Sequence, residues 1–336
     1  MELLSTLFMG TPLWMWLTFM VVVLTLLVLD LGLLHKGSQE IGVAESLKLS
    51  ALYISLGLAF SGFVYWQMGG AATAAYLTAF VVEKTLSMDN VFVIALIFSA
   101  FAVPRAYQHR VLFWGILGVI VLRGIMIGLG AALVAEYHWV LYIFAAFLVA
   151  TGVRMLLIRE KEHDIEGSLP LRLMRKIFRS TKTIESNAFF VRRPVAGRML
   201  WHVTPLFLAL MMVELADLLF AVDSVPAVFA ITTDPFLVYT SNIFAILGLR
   251  ALYFALAAVL PRFAYLKYAL SALLIFIGSK IFVADLMGWE KFPAELSLGV
   301  TIGLLAAGVA VSLWKTRAAS SVPHAKPQHE FSKANP

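Results

Sequence analysis

The stretch Glu83-Lys84-Thr85-Leu86-Ser87-Met88-Asp89-Asn90 lies inside an apolar run over residues 73–101. A second acidic stretch, Glu214-Leu215-Ala216-Asp217-Leu218-Leu219-Phe220-Ala221-Val222-Asp223-Ser224, lies inside another over 203–231. Each run exceeds the ~20 residues that carry a helix across the hydrocarbon core. Each therefore puts carboxylates at membrane depth, where one Asp costs roughly 2.5–3.5 kcal/mol even on lenient scales. Five such acids point to a use for negative charge at mid-membrane, and a cation site is the first use to consider.

The composition agrees with a membrane setting. Of 336 residues, 61% are hydrophobic and 14% charged, whereas a soluble domain is about half apolar and a quarter charged. The expected fold class is an all-α polytopic membrane protein. The chain has no cysteine, which excludes disulfides, thiolate metal sites and thiol redox chemistry. Glu2 is the only charge before Asp30, so a cleavable signal peptide, which needs a basic start, is not expected.

Nine apolar runs are long enough to span: about 12–34, 47–66, 73–101, 111–134, 138–158, 203–231, 236–260, 266–287 and 294–314. Their links alternate in charge. Residues 35–48, 104–110, 159–202, 261–267 and 315–317 carry Lys and Arg, while 67–72, 136–138, 232–235 and 288–295 are neutral or acidic. Positive links face the cytoplasm, so the N-terminus is expected outside it and the C-terminus within. The domain reading follows: a transporter-like bundle over 1–317, with a cytoplasmic loop at 159–202 and a disordered polar tail at 318–336. The loop has ten Lys/Arg against five Asp/Glu and a basic amphipathic stretch at Leu171–Phe178, suited to anionic lipid or a partner. Asp30 reads as an interfacial acid or an access-path residue.

Two segments, 73–158 and 203–287, resemble one another. Glu83-x5-Asp89-Asn90 matches Asp217-x5-Asp223-Ser224; Phe113–Gly118 leading to Arg123 matches Ile243–Gly248 leading to Arg250; Gly152-Val153-Arg154 matches Gly278-Ser279-Lys280. Three spans is an odd number, so the second copy enters from the opposite side. The expectation is an inverted three-helix repeat with a site at the midplane interface, as in secondary transporters.

Glu83, Asp89, Glu214, Asp217 and Asp223 offer carboxylates, and Asn90, Ser224 and Ser87 neutral oxygens. Hard divalent cations such as Mn²⁺, Mg²⁺ and Ca²⁺ take oxygen ligands of this kind; the Met88 sulfur is a soft, weak donor beside them. Residues six apart on a helix differ by about 240°, so Glu83 and Asp89 do not share a face. Glu83, Ser87 and Asn90 do, as do Asp217 and Ser224. Pro226 suggests a break in the second acidic helix that frees the Val222 carbonyl as a ligand. Clustered acids hold protons until a metal expels them, which gives proton exchange a basis. Arg123 and Arg250 read as counter-ions or gating residues. Lys280 either pairs with Asp285 or snorkels.

Val82–Phe92, Glu214–Ala227 and Thr240–Arg250 closely resemble successive signatures of the TerC family of integral membrane proteins, and the resemblance extends over about 12–315. Length and layout resemble its Alx-like branch of bacterial manganese exporters. This resemblance implies Mn²⁺ efflux across the bacterial inner membrane and membership in a superfamily that includes the lysine exporter; neither an enzymatic activity nor a cofactor is expected. Partners would be a divalent ion, protons and the bilayer, with no nucleic acid. Competing readings are a Ca²⁺ or multi-ion exporter, and an assembly or docking factor whose acids pair with Arg123 and Arg250. An intramembrane aspartyl protease does not fit, because Asp89 follows Ser-Met and Asp223 follows Ala-Val rather than Gly-x-Gly.

Overall fold

The computed structural model describes residues 5–29, 43–157, 169–181, 184, 187–195, 198–256, 266–289 and 292–320. The chain opens with a two-strand ribbon, β1 (Leu7–Phe8) and β2 (Thr11–Pro12), before helices α1 (Leu13–Leu29), α2 (Val43–Ala100), α3 (Arg105–Glu136) and α4 (Trp139–Leu157). A short α5 (Leu169–Ile177) and a hairpin of β3 (Phe190–Val195) and β4 (Arg198–Val203) precede α6 (Pro205–Phe229), α7 (Pro235–Leu256), α8 (Leu266–Leu286) and α9 (Ala294–Ser320). Among the described residues, six helices are long and apolar enough to cross a membrane, and two shorter apolar helices lie at Leu13–Leu29 and Pro235–Leu249.

One of the six, α2, is too long for a single crossing. Its 58 residues would extend about 87 Å as one rod. It bends back at Gly69, whose φ of 83° and ψ of −178° are non-helical and belong to a region open essentially to glycine alone. The two arms then lie side by side: the Tyr76 hydroxyl donates to the Gly57 carbonyl at 3.0 Å, and a Cβ on Gly57 would stand 2.7 Å from the Phe80 ring. Phe60 of the first arm meets Phe244 of α7 at a 4.9 Å ring separation, and Phe19 of α1 meets it at 5.6 Å. These aromatics form the packing at one end of the bundle.

Both arms of α2 pack on α7, the first through Phe60 and Phe244 and the second through Lys84 and the Ala245 carbonyl; α3 lies along α6, and α4 along α8. At the opposite end Phe101, Val103, Leu171, Val203 and Leu206 share one core cluster. Leu171 therefore moors α5 to the bundle, while Arg172, Arg175 and Lys176 remain exposed. This is the basic end of the molecule.

Several expectations need correction. The fold is mostly helical rather than all-α: the 159–202 loop contains the β3–β4 hairpin, in register from Phe190↔Val203 to Val195↔Arg198. Phe190, Met199 and Trp201 are exposed apolar side chains on its strands, and Arg192 stacks on Trp201 at 4.5 Å. The second acidic helix starts at Pro205, since Val203 still belongs to a strand. It runs unbroken through Pro226, because Pro226 lies within a turn of the helix end and removes only one hydrogen bond there. The non-helical Gly69 falls in the link expected at 67–72, not inside the first acidic helix. Finally, α9 extends to Ser320, past the expected limit at 317; Asp30 and residues 321–336 lie outside the described residues.

Candidate functional site

Arg123 sits near the middle of α3, 1% exposed, and three other helices converge on it. From the second arm of α2, Glu83 Oε1 accepts from Arg123 Nη1 at 2.6 Å. From α6, Ser224 Oγ lies 3.0 Å from the same nitrogen. From α7, Asn242 Oδ1 lies 2.9 Å from it. Nη1 has two hydrogens and three acceptors, so these bonds are shared. The other edge of the guanidinium faces, among the described residues, Asp217 alone: Nε donates to Oδ2 at 3.3 Å and Nη2 to Oδ1 at 3.4 Å.

Helical periodicity produces this convergence. Glu83 and Ser87 are four apart on α2, and the Ser87 hydroxyl donates to Glu83 Oε1 at 3.3 Å. Asp217 and Ser224 are seven apart on α6 and meet one arginine from the same face. With both carboxylates ionised, Glu83, Asp217 and Arg123 sum to one negative charge. Such charges are costly in a bilayer unless paired. The pairing is incomplete: Glu83 Oε2, Glu214 Oε2 and Asn242 Nδ2 are buried without a hydrogen-bond partner among the described residues. Buried polar atoms left this way are uncommon and mark places where water, an ion or a proton acts.

A cavity of about 40 Å³ adjoins the cluster. Asn90 and Asp217 line it, together with apolar side chains that include Ile94, Leu112, Ile246 and Tyr253. On each helix these apolar residues lie nearer the basic end than Arg123 does. Glu214 stands on the same side. Its carboxylate presses against Gly118 of α3, where any Cβ would overlap it, and Gly115 leaves further room. Glycines at these two positions let an acidic side chain occupy a helix–helix contact.

The structure thus brings together Glu83, Ser87, Asp217, Ser224 and Arg123, with Asn90 buried at the neighbouring cavity and Glu214 against Gly118. The side chains of Met88, Asp89, Asp223 and Arg250 lie outside the described residues. Among the described residues, no three His, Asp or Glu side chains gather as a ready metal site. Lys280 neither pairs with Asp285 nor snorkels. It is buried between α8 and α9 and donates to Ser297 Oγ at 3.2 Å, while Asp285 is exposed.

Two residues escaped the sequence reading. Asn242 accepts from Arg123, and its signal was an amide in the middle of an apolar span. Lys84 donates to the Ala245 carbonyl at 3.0 Å and occupies the space left by Gly248, where a Cβ would lie 2.7 Å from Nζ. Its signal was a lysine beside Glu83 at the same membrane depth.

A bundle of apolar helices enclosing a charged cluster defines a polytopic integral membrane protein. The chain belongs to the TerC family of integral membrane proteins, whose model matches residues 68–320. It is 46% identical over 308 residues to a membrane protein of Myxococcus xanthus, STKORF319, covering 92% of this chain and 94% of that one. It is also 46% identical over 314 residues to an Escherichia coli K12 protein that bears the name membrane-bound redox modulator Alx, covering 91% and 95%. A Rickettsia bellii membrane protein matches at 46% over 298 residues, 89% of this chain and 96% of that one. No solved structure matches.

Proposed function

We propose that this chain exports a divalent cation, Mn²⁺ first among them, across a bacterial inner membrane in exchange for protons, without enzymatic chemistry or a resident cofactor. The observation that carries the reading is the buried Glu83–Arg123–Asp217 cluster, with Glu83 Oε2 and the nearby Glu214 Oε2 unpartnered among the described residues, set at the inner end of a cavity lined by Asn90 and Asp217. A cluster with one surplus negative charge accepts either protons or a cation, and the two compete for the same oxygens. Oxygen ligands alone discriminate hard divalent ions poorly, so Ca²⁺ or several ions are the alternative cargo. The name borne by the Alx relatives speaks of redox modulation. This chain, without cysteine, would influence redox state through the metal it moves.

The architecture we assign to this activity has nine crossings, counting α2 twice at its Gly69 fold and including α1 and α7. The N-terminus is periplasmic and the C-terminus, with the basic end, cytoplasmic. The units 73–158 and 203–287 form an inverted repeat. The packing supports this arrangement. The first helix of each unit lies along the second helix of the other, and the third helices pair together. That is the pattern a two-fold exchange of the units produces. On this orientation the cavity faces the cytoplasm, the side from which an exporter loads.

The pairing of both cluster acids with Arg123 favours one second reading, a membrane assembly or docking factor whose acids are structural. Intracellular manganese separates the two in cells challenged with Mn²⁺ and carrying empty vector, the wild-type chain, or Asp217→Asn at matched membrane abundance. Lower manganese with the wild type alone supports export. Equal manganese in all three, with normal accumulation of the protein, leaves the assembly reading.

A further inference from the structure

We propose that Arg123 is a built-in competitor for the transported cation: it holds Asp217 until the ion takes that carboxylate, while Glu83 stays bound to the arginine throughout. This rests on the cation-transport reading above and divides the acids of that site into an anchor and an exchanging ligand.

The two halves of the guanidinium differ. Nη1 is held by Glu83 at 2.6 Å, Asn242 at 2.9 Å and Ser224 at 3.0 Å, acceptors from three helices. Charge-assisted bonds of this length are the strong ones. Among the described residues, the Nε–Nη2 edge has only Asp217, at 3.3 and 3.4 Å. Access differs in the same sense: Glu83 is 1% exposed and Asp217 13%. Asp217, not Glu83, lines the cavity. Its volume of about 40 Å³ accommodates roughly two or three water-sized spheres, enough for an ion that keeps part of its hydration. An ion arriving there meets Asp217 and Asn90 first, and Glu214 stands one turn earlier on the same helix with an unpartnered oxygen.

Releasing Asp217 therefore breaks the long pair and leaves the short one. Arg123 then carries one neutralising carboxylate, Glu83, and the ion takes the other. When the ion leaves, the arginine recovers Asp217 and prevents the emptied site from holding a lone buried carboxylate. A cation cannot be retained indefinitely where a tethered positive charge competes for its ligand, and this is useful in a carrier that must let go.

The test is Mn²⁺ affinity of the full chain in detergent, followed by titration calorimetry and by the electron paramagnetic resonance signal of free Mn²⁺. Removing the competitor in R123Q is expected to tighten binding roughly tenfold, the scale of one charge-assisted contact. That gain should vanish in R123Q/D217N relative to D217N, since the two residues act on one another. R123K serves if R123Q does not accumulate. Its ammonium cannot hold the Glu83 side and straddle Asp217 together, so it shifts affinity in the same direction. Arg123 variants that bind Mn²⁺ as the wild type does, or more weakly, overturn the proposal, as does a gain that persists without Asp217. Absence of Mn²⁺ binding in the wild type and every variant overturns the transport reading itself, a distinct result from Mn²⁺ binding that ignores Arg123.

Discussion

Gly152 of α4 and Gly278 of α8 lie against each other's helix backbones at one crossing. A Cβ on Gly152 would stand 2.8 Å from the Ser271 carbonyl oxygen, and one on Gly278 2.5 Å from that of Ala145. Membrane helices gain little from burying apolar surface in lipid and pack instead through such close approaches. Gly152→Val and Gly278→Val should each destabilise the protein by about 1–3 kcal/mol, the usual cost of overpacking. Gly128→Ala, where nothing lies within 4 Å, should leave the thermal midpoint in detergent unchanged. Equal midpoints for all three would show that α4 and α8 do not depend on this contact.

Glu83 and Asp217 should separate stability from transport. Glu83→Gln removes the short, enclosed partner of Arg123, and breaking a buried pair from one side typically costs about 3–5 kcal/mol. Asp217→Asn breaks longer bonds at a more accessible carboxylate and should cost clearly less. Thermal unfolding of the purified variants gives the stability order, and cellular manganese at matched abundance gives the transport order. Asp217→Asn is expected to abolish transport while retaining the fold. A larger stability loss for Asp217→Asn would reverse the roles assigned here.

Gly118→Ala would drive a methyl group into the Glu214 carboxylate. Glutamate is flexible and can swing away, so the fold should survive while Glu214 leaves its place beside the cavity. The expected result is a stable protein with weaker manganese efflux, close to that of Glu214→Gln. Full efflux in both variants would remove Glu214 from the path.

Gly69→Ala should destabilise by about 1–3 kcal/mol, because the backbone region Gly69 occupies strains any side chain. Gly70→Ala should be nearly silent, its Cβ meeting only the Tyr65 ring at 3.9 Å. Comparing the two midpoints tests whether the fold-back of α2 depends on this single residue.

Much of this arrangement can be read from the chain before any coordinates, and the reason is periodicity. Glu83 with Ser87, and Asp217 with Ser224, share faces because a helix repeats every 3.6 residues, and that relation holds whatever surrounds it. Arg123 as a counter-ion follows from the cost of a lone charge in lipid. What escaped depends on contacts between helices far apart in sequence. Asn242 gains its role only when α7 comes beside α3, and Lys84 only when Gly248 opens a space for it. Pro226 suggested a break because proline removes a donor, yet its effect depends on how near the helix end lies. The β3–β4 hairpin went unread in a loop judged by its charge and by the amphipathic stretch at Leu171–Phe178. Arg250 was paired by analogy with Arg123, although in the register that aligns Gly118 with Gly248 the position of Arg123 is taken by Tyr253.

The Arg123–Glu83 pair also bears on how the chain is made. Glu83 precedes Arg123 by 40 residues, and Asp217 follows it by 94. A ribosome therefore delivers the acid and the base on successive helices, and each cancels the other's charge as the two enter the bilayer. Neither helix has to wait as a lone ion in lipid. When α6 emerges later, carrying Asp217 and Ser224, an arginine is already seated at the right depth to receive it. The same side chain that holds the finished bundle together sets the place of a helix not yet synthesised.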